Sequence, residues 1–348
     1  MNWYQLVFKP LLFQLDAEEA HKLTMALFHL TCQIPGGQSL VQTLFRTTQS
    51  PDISVNLAGM ALPNPVGLAA GFDKNGEWID EMALLGFGFI EIGTVTPRPQ
   101  IGNPKPRLFR IPEDEALLNR MGFNNAGMVP ISKNLANRKN RKIVVGGNIG
   151  KNKNTPNEEA WKDYVACFRE LAEHVDYFTI NLSSPNTPGL RKLLEAEWLK
   201  EILEPVQNEN QKLVRPKPIF LKIAPDLENG QLNDIVNSCL GSGLAGIVAT
   251  NTTINRSDLK LPKAELEKMG QGGISGKPLE IVSRNLLHEI KALSGNRLSI
   301  ISSGGIMDSE EAKKRLISGA DAIQLYSGMV YRGPGLVKEV LSLLAGKN

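Results

Sequence analysis

From about residue 60 onward the chain alternates short apolar runs with longer stretches in which apolar residues recur every three or four positions. The runs are Val66 to Ala69, Phe89 to Gly93, Ile143 to Gly146, Tyr177 to Asn181, Ile219 to Ile223, Gly246 to Thr250, Ser299 to Ser302 and Ala322 to Leu325. They are short, rich in β-branched residues and nearly uniformly apolar, the pattern of strands covered on both faces. Stretches between them, such as Glu158 to His174 and Ser309 to Gly319, carry helical periodicity. Asp308 and Ser309 ahead of Glu310 and Glu311 make a helix start, and Gly319 makes a stop. Eight strands alternating with helices over roughly 260 residues predict an α/β fold, a (β/α)8 TIM barrel. A doubly wound open sheet is the alternative, and the lack of a GxGxxG opening a helix after the first strand counts against it. Two intervals are too long for a plain helix: Thr96 to about Arg141, rich in Pro, Gly and Arg, and Asn255 to Gly276. Long insertions at the C-terminal ends of barrel strands usually build the active-site face.

The first fifty residues follow another rhythm. Trp3, Tyr4, Leu6, Val7, Phe8, Leu11, Leu12, Phe13 and Leu15 crowd the start. Asp16-Ala17-Glu18-Glu19 then reads as a capping box opening a helix, with Leu23, Leu27 and Leu30 along one face, and Ile34-Pro35-Gly36-Gly37 ends it. The prediction is an amphipathic helical extension over residues 1–48 ahead of a barrel over 49–348. On pattern alone, the plain reading of the extension is a cap packed on the barrel.

Composition narrows the chemistry. The 348 residues carry a formal net charge of +3, and no basic run interleaved with aromatics appears, which speaks against nucleic-acid binding. Cys32, Cys167 and Cys239 form no CxxC pair, and His21, His29, His174 and His288 make no HExxH spacing. A disulfide framework, an iron–sulfur cluster and a catalytic metal are therefore all disfavoured. No segment reaches the ~20 apolar residues needed to span a bilayer.

Catalytic residues of barrels sit where strands end. Those positions hold Lys74, Thr94, Asn148, Asn181, Ser184, Lys222, Thr250, Asn251, Gly304, Gly305, Tyr326 and Ser327. This ring of amides, hydroxyls and two lysines suits an anionic, hydrogen-bond-rich ligand and argues against a paired-carboxylate hydrolase. Small residues in Ser302 to Ile306 and Tyr326 to Gly328 suit backbone N–H groups closing on a phosphate, with a plain tight turn as the alternative. Lys222 leaves three readings open: a Schiff base as in aldolases, neutralisation of a reduced cofactor, or pairing with a carboxylate.

Six segments carry a resemblance: GLAAGFDKNG (Gly67 to Gly76), LNRMGFNN (Leu118 to Asn125), NLSSPNTPGLR (Asn181 to Arg191), IAPDL (Ile223 to Leu227), ATNTT (Ala249 to Thr253) and GGISGKPL (Gly272 to Leu279). In this order, from about Asp52 to the C-terminus, the chain resembles the dihydroorotate dehydrogenases. The FQLDAEEAHKL segment (Phe13 to Leu23) is similar to the extension of their membrane-associated, quinone-using class.

The resemblance implies oxidation of (S)-dihydroorotate to orotate, with FMN as hydride acceptor and a membrane quinone as final acceptor, in pyrimidine biosynthesis. It implies FMN contacts from Ala70, Gly71, Phe72, Asp73, Lys74, Thr94, Asn148, Asn181, Lys222 and Thr250, with Gly276, Gly304, Gly305, Tyr326 and Ser327 completing the site. Dihydroorotate would be held by Lys74, Asn119, Asn181, Asn186, Asn251 and Thr252, with Arg120, Met121, Gly122 and Phe123 closing over it. Ser184 would be the base, where cytosolic relatives carry cysteine. A serine is a weak base at neutral pH and needs a relay, for which Thr187 and Thr252 are both candidates. The extension would dip into lipid and form a quinone tunnel lined by His21, Arg110 and Tyr326, with Lys9, Lys22 and Arg46 facing anionic headgroups. The implied location is peripheral, on the cytoplasmic side of the cell inner membrane, with no obligate protein subunit and no resident metal.

Overall fold

The protein is described by a computed structural model over residues 4–45, 53–187 and 189–346. Trp3, Arg46, Pro188 of the NLSSPNTPGLR segment and the expected boundary between residues 48 and 49 lie outside the described residues.

Among the described residues there are thirteen strands, β1 (Val55–Leu57), β2 (Met60–Leu62), β3 (Val66–Leu68), β4 (Phe89–Val95), β5 (Leu108–Ile111), β6 (Ala116–Asn119), β7 (Val144–Ile149), β8 (Tyr177–Asn181), β9 (Ile219–Ile223), β10 (Gly246–Ala249), β11 (Gly273–Gly276), β12 (Ser299–Ser303) and β13 (Ala322–Leu325). Eight of them close a parallel barrel in the order β10-β12-β13-β3-β4-β7-β8-β9. These are the eight apolar runs of the sequence, so the TIM barrel is the architecture. β4 and β7 extend past the predicted ends, which places Thr94 and Asn148 inside strands.

The two ends of the barrel are closed differently. At the N-terminal end the β1–β2 hairpin packs Leu57 and Leu62 against Phe89, Tyr177, Phe220 and Val248, an apolar plug. At the other end, the two long intervals contribute β5, β6 and β11, which pair antiparallel in the order β11-β6-β5. This small sheet, absent from the sequence reading, carries the LNRMGFNN and GGISGKPL segments to opposite sides of one register: Asn119 lies across from Gly273 and Ala116 across from Gly276.

The extension consists of a helical turn at Tyr4–Phe8 running into Lys9–Leu12, then helices Ala17–Gln33 and Gly37–Phe45. Asp16 caps the long helix, its Oδ1 accepting from the N–H groups of Glu18 and Glu19 at 2.9 and 3.2 Å. The reciprocal half of the predicted capping box is replaced, because the Glu19 carboxylate accepts from Lys22 and Lys105 instead. Glu18 turns inward and accepts a two-pronged pair from Arg107 at 2.9 and 2.7 Å. His29 pairs with Glu81 at 2.5 Å, bolting the same helix to the barrel.

Apolar exposure is concentrated here. Among the described residues, eleven of the twenty exposed large apolar side chains lie before residue 46, including Leu23, Leu27 and Leu30 at 45%, 55% and 60% exposure. A monomer rarely leaves so dense an apolar surface uncovered without a partner or a lipid phase.

Candidate active site

The barrel mouth and the three-stranded sheet enclose a cavity of about 1110 Å³, open mouth included. Its wall includes Ala70, Gly71, Lys74 and Thr94 from the first two barrel strands and their loops, and Asn181, Ser184 and Asn186 from the fourth. Lys222, Thr250, Asn251, Thr252, Gly276, Gly304, Gly305, Tyr326 and Ser327 complete the barrel side. Asn119, Met121, Gly122 and Phe123 face them from the sheet side.

Below the cavity lies a network that the sequence reading missed. Glu91, in the middle of β4, is fully buried. Its two oxygens accept from Asn148 Nδ2 (2.8 Å), Tyr177 Oη (3.1 Å), Thr179 Oγ1 (3.0 Å) and Gln324 Nε2 (2.8 Å). Asn148 Oδ1 then accepts from Thr94 Oγ1 and Asn181 Nδ2. Asn181 Oδ1 in turn accepts from Ser183 and Asn251. Barrel strands β4, β7, β8 and β13 and the segment after β10 are thereby tied together under the cavity floor. A buried carboxylate with this many donors fixes side-chain orientation far better than apolar packing does. Lys222, 6% exposed on β9, has its pKa pushed down by burial, with Glu91 opposing the shift.

On the substrate side, Asn186 Nδ2 donates to Asn119 Oδ1 at 3.0 Å, joining the SSPN loop to β6. Arg191 stitches the loops together, donating to Ser183 O, Asp226 Oδ2 and Thr252 O. Ser184 is 6% exposed and its Oγ accepts from the Asn186 N–H at 3.3 Å. Thr252 shares the cavity wall with Ser184, while Thr187 is buried outside it. Lys74 donates to Gly71 O at 2.9 Å, and burial is the main cause that pulls its pKa down to about 8.

Small residues shape the far end. Gly304, Gly305 and Gly276 all have positive φ (+94°, +76° and +95°), which favours glycine. A Cβ on Gly305 would run into the backbone of Glu280, and one on Gly276 into that of Glu115. Fully buried Arg315 braces this loop, donating to Gly304 O, Glu280 O and Ser302 Oγ while paired with Glu311.

Several expected residues lie behind the wall. Asp73 accepts from the N–H groups of Glu77 and Trp78, and burial raises its pKa to about 6. Asn148 bridges Glu91 to Thr94 as described. The Arg120 side chain points away, donating to Pro106 O with its guanidinium over Phe109. Phe72 stands between His21 and Tyr326, with edge-to-face ring separations of 4.8 and 5.7 Å. Burial drives the His21 pKa down to about 4, so the ring is neutral at pH 7. Arg110 donates to Leu15 O at 2.8 Å and sits over the Phe13 ring. Lys9 lies over the rings of Phe13 and Tyr331, and Lys22 pairs with Glu19.

The profile of the family described as Dihydroorotate dehydrogenase matches residues 52–347, the whole barrel. The chain belongs to the dihydroorotate dehydrogenase family. Among similar family members, one from Christiangramia forsetii, named dihydroorotate dehydrogenase (quinone), is 46% identical over 97% of each chain. Another of the same name from a Roseiflexus species is 46% identical over 98% of this chain and 93% of its own. The family profile starts after the extension, whereas these quinone-named relatives match almost the full length, so the extension is shared with them. The fold agrees with solved dihydroorotate dehydrogenases of Eimeria tenella. The ligand-free form has a TM-score of 0.85, with 38% identity over 95% of this chain and 94% of that one. A form in complex with ferulenol has a TM-score of 0.84, with 37% identity over 94% and 90%.

Among the described residues no helix is long and apolar enough to cross a membrane.

Proposed function

We propose that the protein oxidises (S)-dihydroorotate to orotate, using FMN at the barrel mouth and a membrane quinone as the final electron acceptor, as a step of pyrimidine biosynthesis. The observation that carries this reading is the single cavity shared by Ser184, the Lys74–Asn119–Asn186–Asn251 amide set and the glycine cradle at Gly304–Gly305.

The residues fit FMN. Gln324 Oε1 and Thr252 Oγ1 line the cavity, buried and without a hydrogen-bond partner among the described residues. Buried polar atoms of this kind are normally satisfied, so their position suits a ligand with its own hydrogen-bonding edge. Tight glycines braced by Arg315 suit backbone donors closing on a phosphate. FMN bound there would supply a two-electron acceptor for the substrate's hydride, one that a quinone could reoxidise. Ala70, Gly71, Thr94, Asn181, Lys222 and Thr250 would hold its ring system. Gly304, Gly305, Tyr326 and Ser327 would hold its phosphate end, with Gly276 completing the site. Phe72, Asp73 and Asn148 would support it from behind the wall.

Lys74 supplies a cation for the substrate carboxylate, and Asn119, Asn181, Asn186, Asn251 and Thr252 match the ring amides of an orotate-like molecule. The backbone from Arg120 through Met121, Gly122 and Phe123 covers it and excludes water. Ser184 Oγ takes the proton from the ring carbon next to the carbonyl, and a hydroxyl such as Thr187 or Thr252 passes it on. His21, Phe72 and Tyr326 line the route from the extension, with Arg110 at its edge, and neutral His21 keeps that route apolar. The exposed leucine face rests in a lipid surface, holding the protein peripherally on the cytoplasmic side of the inner membrane. Neither a protein subunit nor a nucleic acid takes part.

The test is an anaerobic absorbance spectrum before and after dihydroorotate. Flavin bands that bleach are the expected result. Flavin that stays oxidised would refute the substrate, and a folded protein without flavin would refute the cofactor.

A further inference from the structure

The buried ion pair between the extension and the barrel lies one residue from a second set of contacts. Arg107 is 6% exposed, and all three nitrogens of its guanidinium donate. Nε and Nη2 donate to Glu18 on the long extension helix, and Nη1 donates to the carbonyls of Ile101 (2.6 Å) and Asn103 (3.0 Å). The turn so held reaches directly to the segment over the substrate. Asn103 N–H donates to Met121 O at 3.0 Å and Asn103 Nδ2 to Arg120 O at 2.8 Å. Arg120 N–H donates back to Arg107 O at 2.9 Å. The path from Glu18 to the cavity wall at Met121 thus runs through charge-assisted hydrogen bonds, one side-chain amide and backbone hydrogen bonds.

Geometry makes the path directional. A planar guanidinium held on two sides, by Glu18 and by two carbonyls, cannot turn without breaking several bonds at once. Glu18 supplies the only carboxylate in that set among the described residues, and it belongs to the element with the exposed leucine face. Where the helix sits therefore decides where the Ile101–Asn103 turn sits, and that turn decides how closely the Arg120–Met121 backbone lies over the cavity.

We propose that the Glu18–Arg107 pair is a positioning device for the dihydroorotate pocket, through which the seating of the membrane-facing helix sets the closure of the substrate-covering segment. The inference rests on the proposed dihydroorotate reaction. It gives the extension a second task besides quinone entry: binding of the anionic substrate is tightest when the extension is seated.

The test compares orotate affinity, read from perturbation of the flavin spectrum, in the full-length holoprotein and its Glu18→Gln variant. Glu197→Gln, which removes an exposed carboxylate on a barrel helix away from the extension, is the control. Glu18→Gln should weaken orotate by about tenfold, the scale expected when a covering segment shifts by a fraction of an ångström. It should also raise the KM for dihydroorotate, leave the limiting rate of flavin reduction within about twofold, and speed hydrogen exchange at the Arg120 and Asn103 amides. Asn103→Ala, at the other end of the path, should weaken orotate similarly, which keeps the inference testable if Glu18→Gln folds poorly. Unchanged orotate affinity in both variants overturns it, as does a fall in limiting rate and flavin content without a change in affinity. Wild-type flavin that dihydroorotate does not bleach would remove the reaction itself, an outcome distinct from a wild type that bleaches and variants that bind orotate normally.

Discussion

The barrel mouth and the extension break the ordinary partition of side chains in opposite senses. At the mouth Glu91, Asn148, Asn181 and Lys222 are buried, with exposures of 0%, 0%, 4% and 6%. On the extension Leu23, Leu27, Leu30, Leu40 and Leu44 are exposed. Buried polar groups cost folding free energy unless every one finds a partner, and a dense exposed apolar face invites aggregation. The proposed function accounts for each departure by what the region would meet: a polar planar ligand at the mouth, a hydrophobic phase at the extension. The contact between the two regions is itself divided, polar through Glu18–Arg107 and aromatic through His21–Phe72–Tyr326.

The largest expected break of this comparison is at the mouth. Ser184→Ala should retain flavin and fold normally while losing turnover by about 10²–10⁴, the usual contribution of a positioned acid or base. Single-turnover flavin reduction measures it, and undiminished bleaching would remove the serine from the proton-accepting role.

On the extension, Leu27→Asp combined with Leu30→Asp should weaken binding to lipid vesicles by about tenfold per residue or more, given roughly 1.5–3 kcal/mol for burying a leucine. Co-sedimentation with vesicles would read this, while flavin reduction at saturating dihydroorotate stays close to wild type. Equal vesicle binding would mean that this face is covered by something other than lipid.

A smaller effect sharpens the mouth. Lys74 is protonated below about 8 and neutral above it, because burial disfavours its charged form. The attraction for an anionic substrate is therefore present at neutral pH and lost as pH rises. The KM for dihydroorotate should climb above pH 8 by about tenfold per unit, and a flat profile to pH 9.5 would separate Lys74 from the substrate carboxylate.

Much of this architecture was legible because barrel strands announce themselves. Eight apolar runs buried on both faces cannot be solvent-facing strands, and all eight close the barrel. Legibility failed where information lies between segments. Glu91 sits inside a run that reads as apolar, and its donors come from β7, β8 and β13, far apart in sequence. The sheet over the mouth was missed for local reasons. β5 and β6 have four residues each, and the turn between them puts Glu115 at φ +45°, where a glycine or asparagine would have marked it. β11 reads Gly-Ile-Ser-Gly, a loop composition that becomes a strand only through pairing with β6. At Glu19 the pattern for a capping box was present, but Lys105 from a distant loop won the carboxylate.

The central claim is that one region reduces the flavin and the other serves its reoxidation. The most direct measurement follows flavin absorbance anaerobically through both steps, in wild type and in the Leu27→Asp, Leu30→Asp variant, adding saturating dihydroorotate first and then a long-chain quinone carried in vesicles. Bleaching at matching rates in both proteins, followed by recovery that is fast in wild type and slow only in the variant, is the predicted result. Recovery at the same rate in both, or bleaching impaired along with recovery, would contradict the division between mouth and extension.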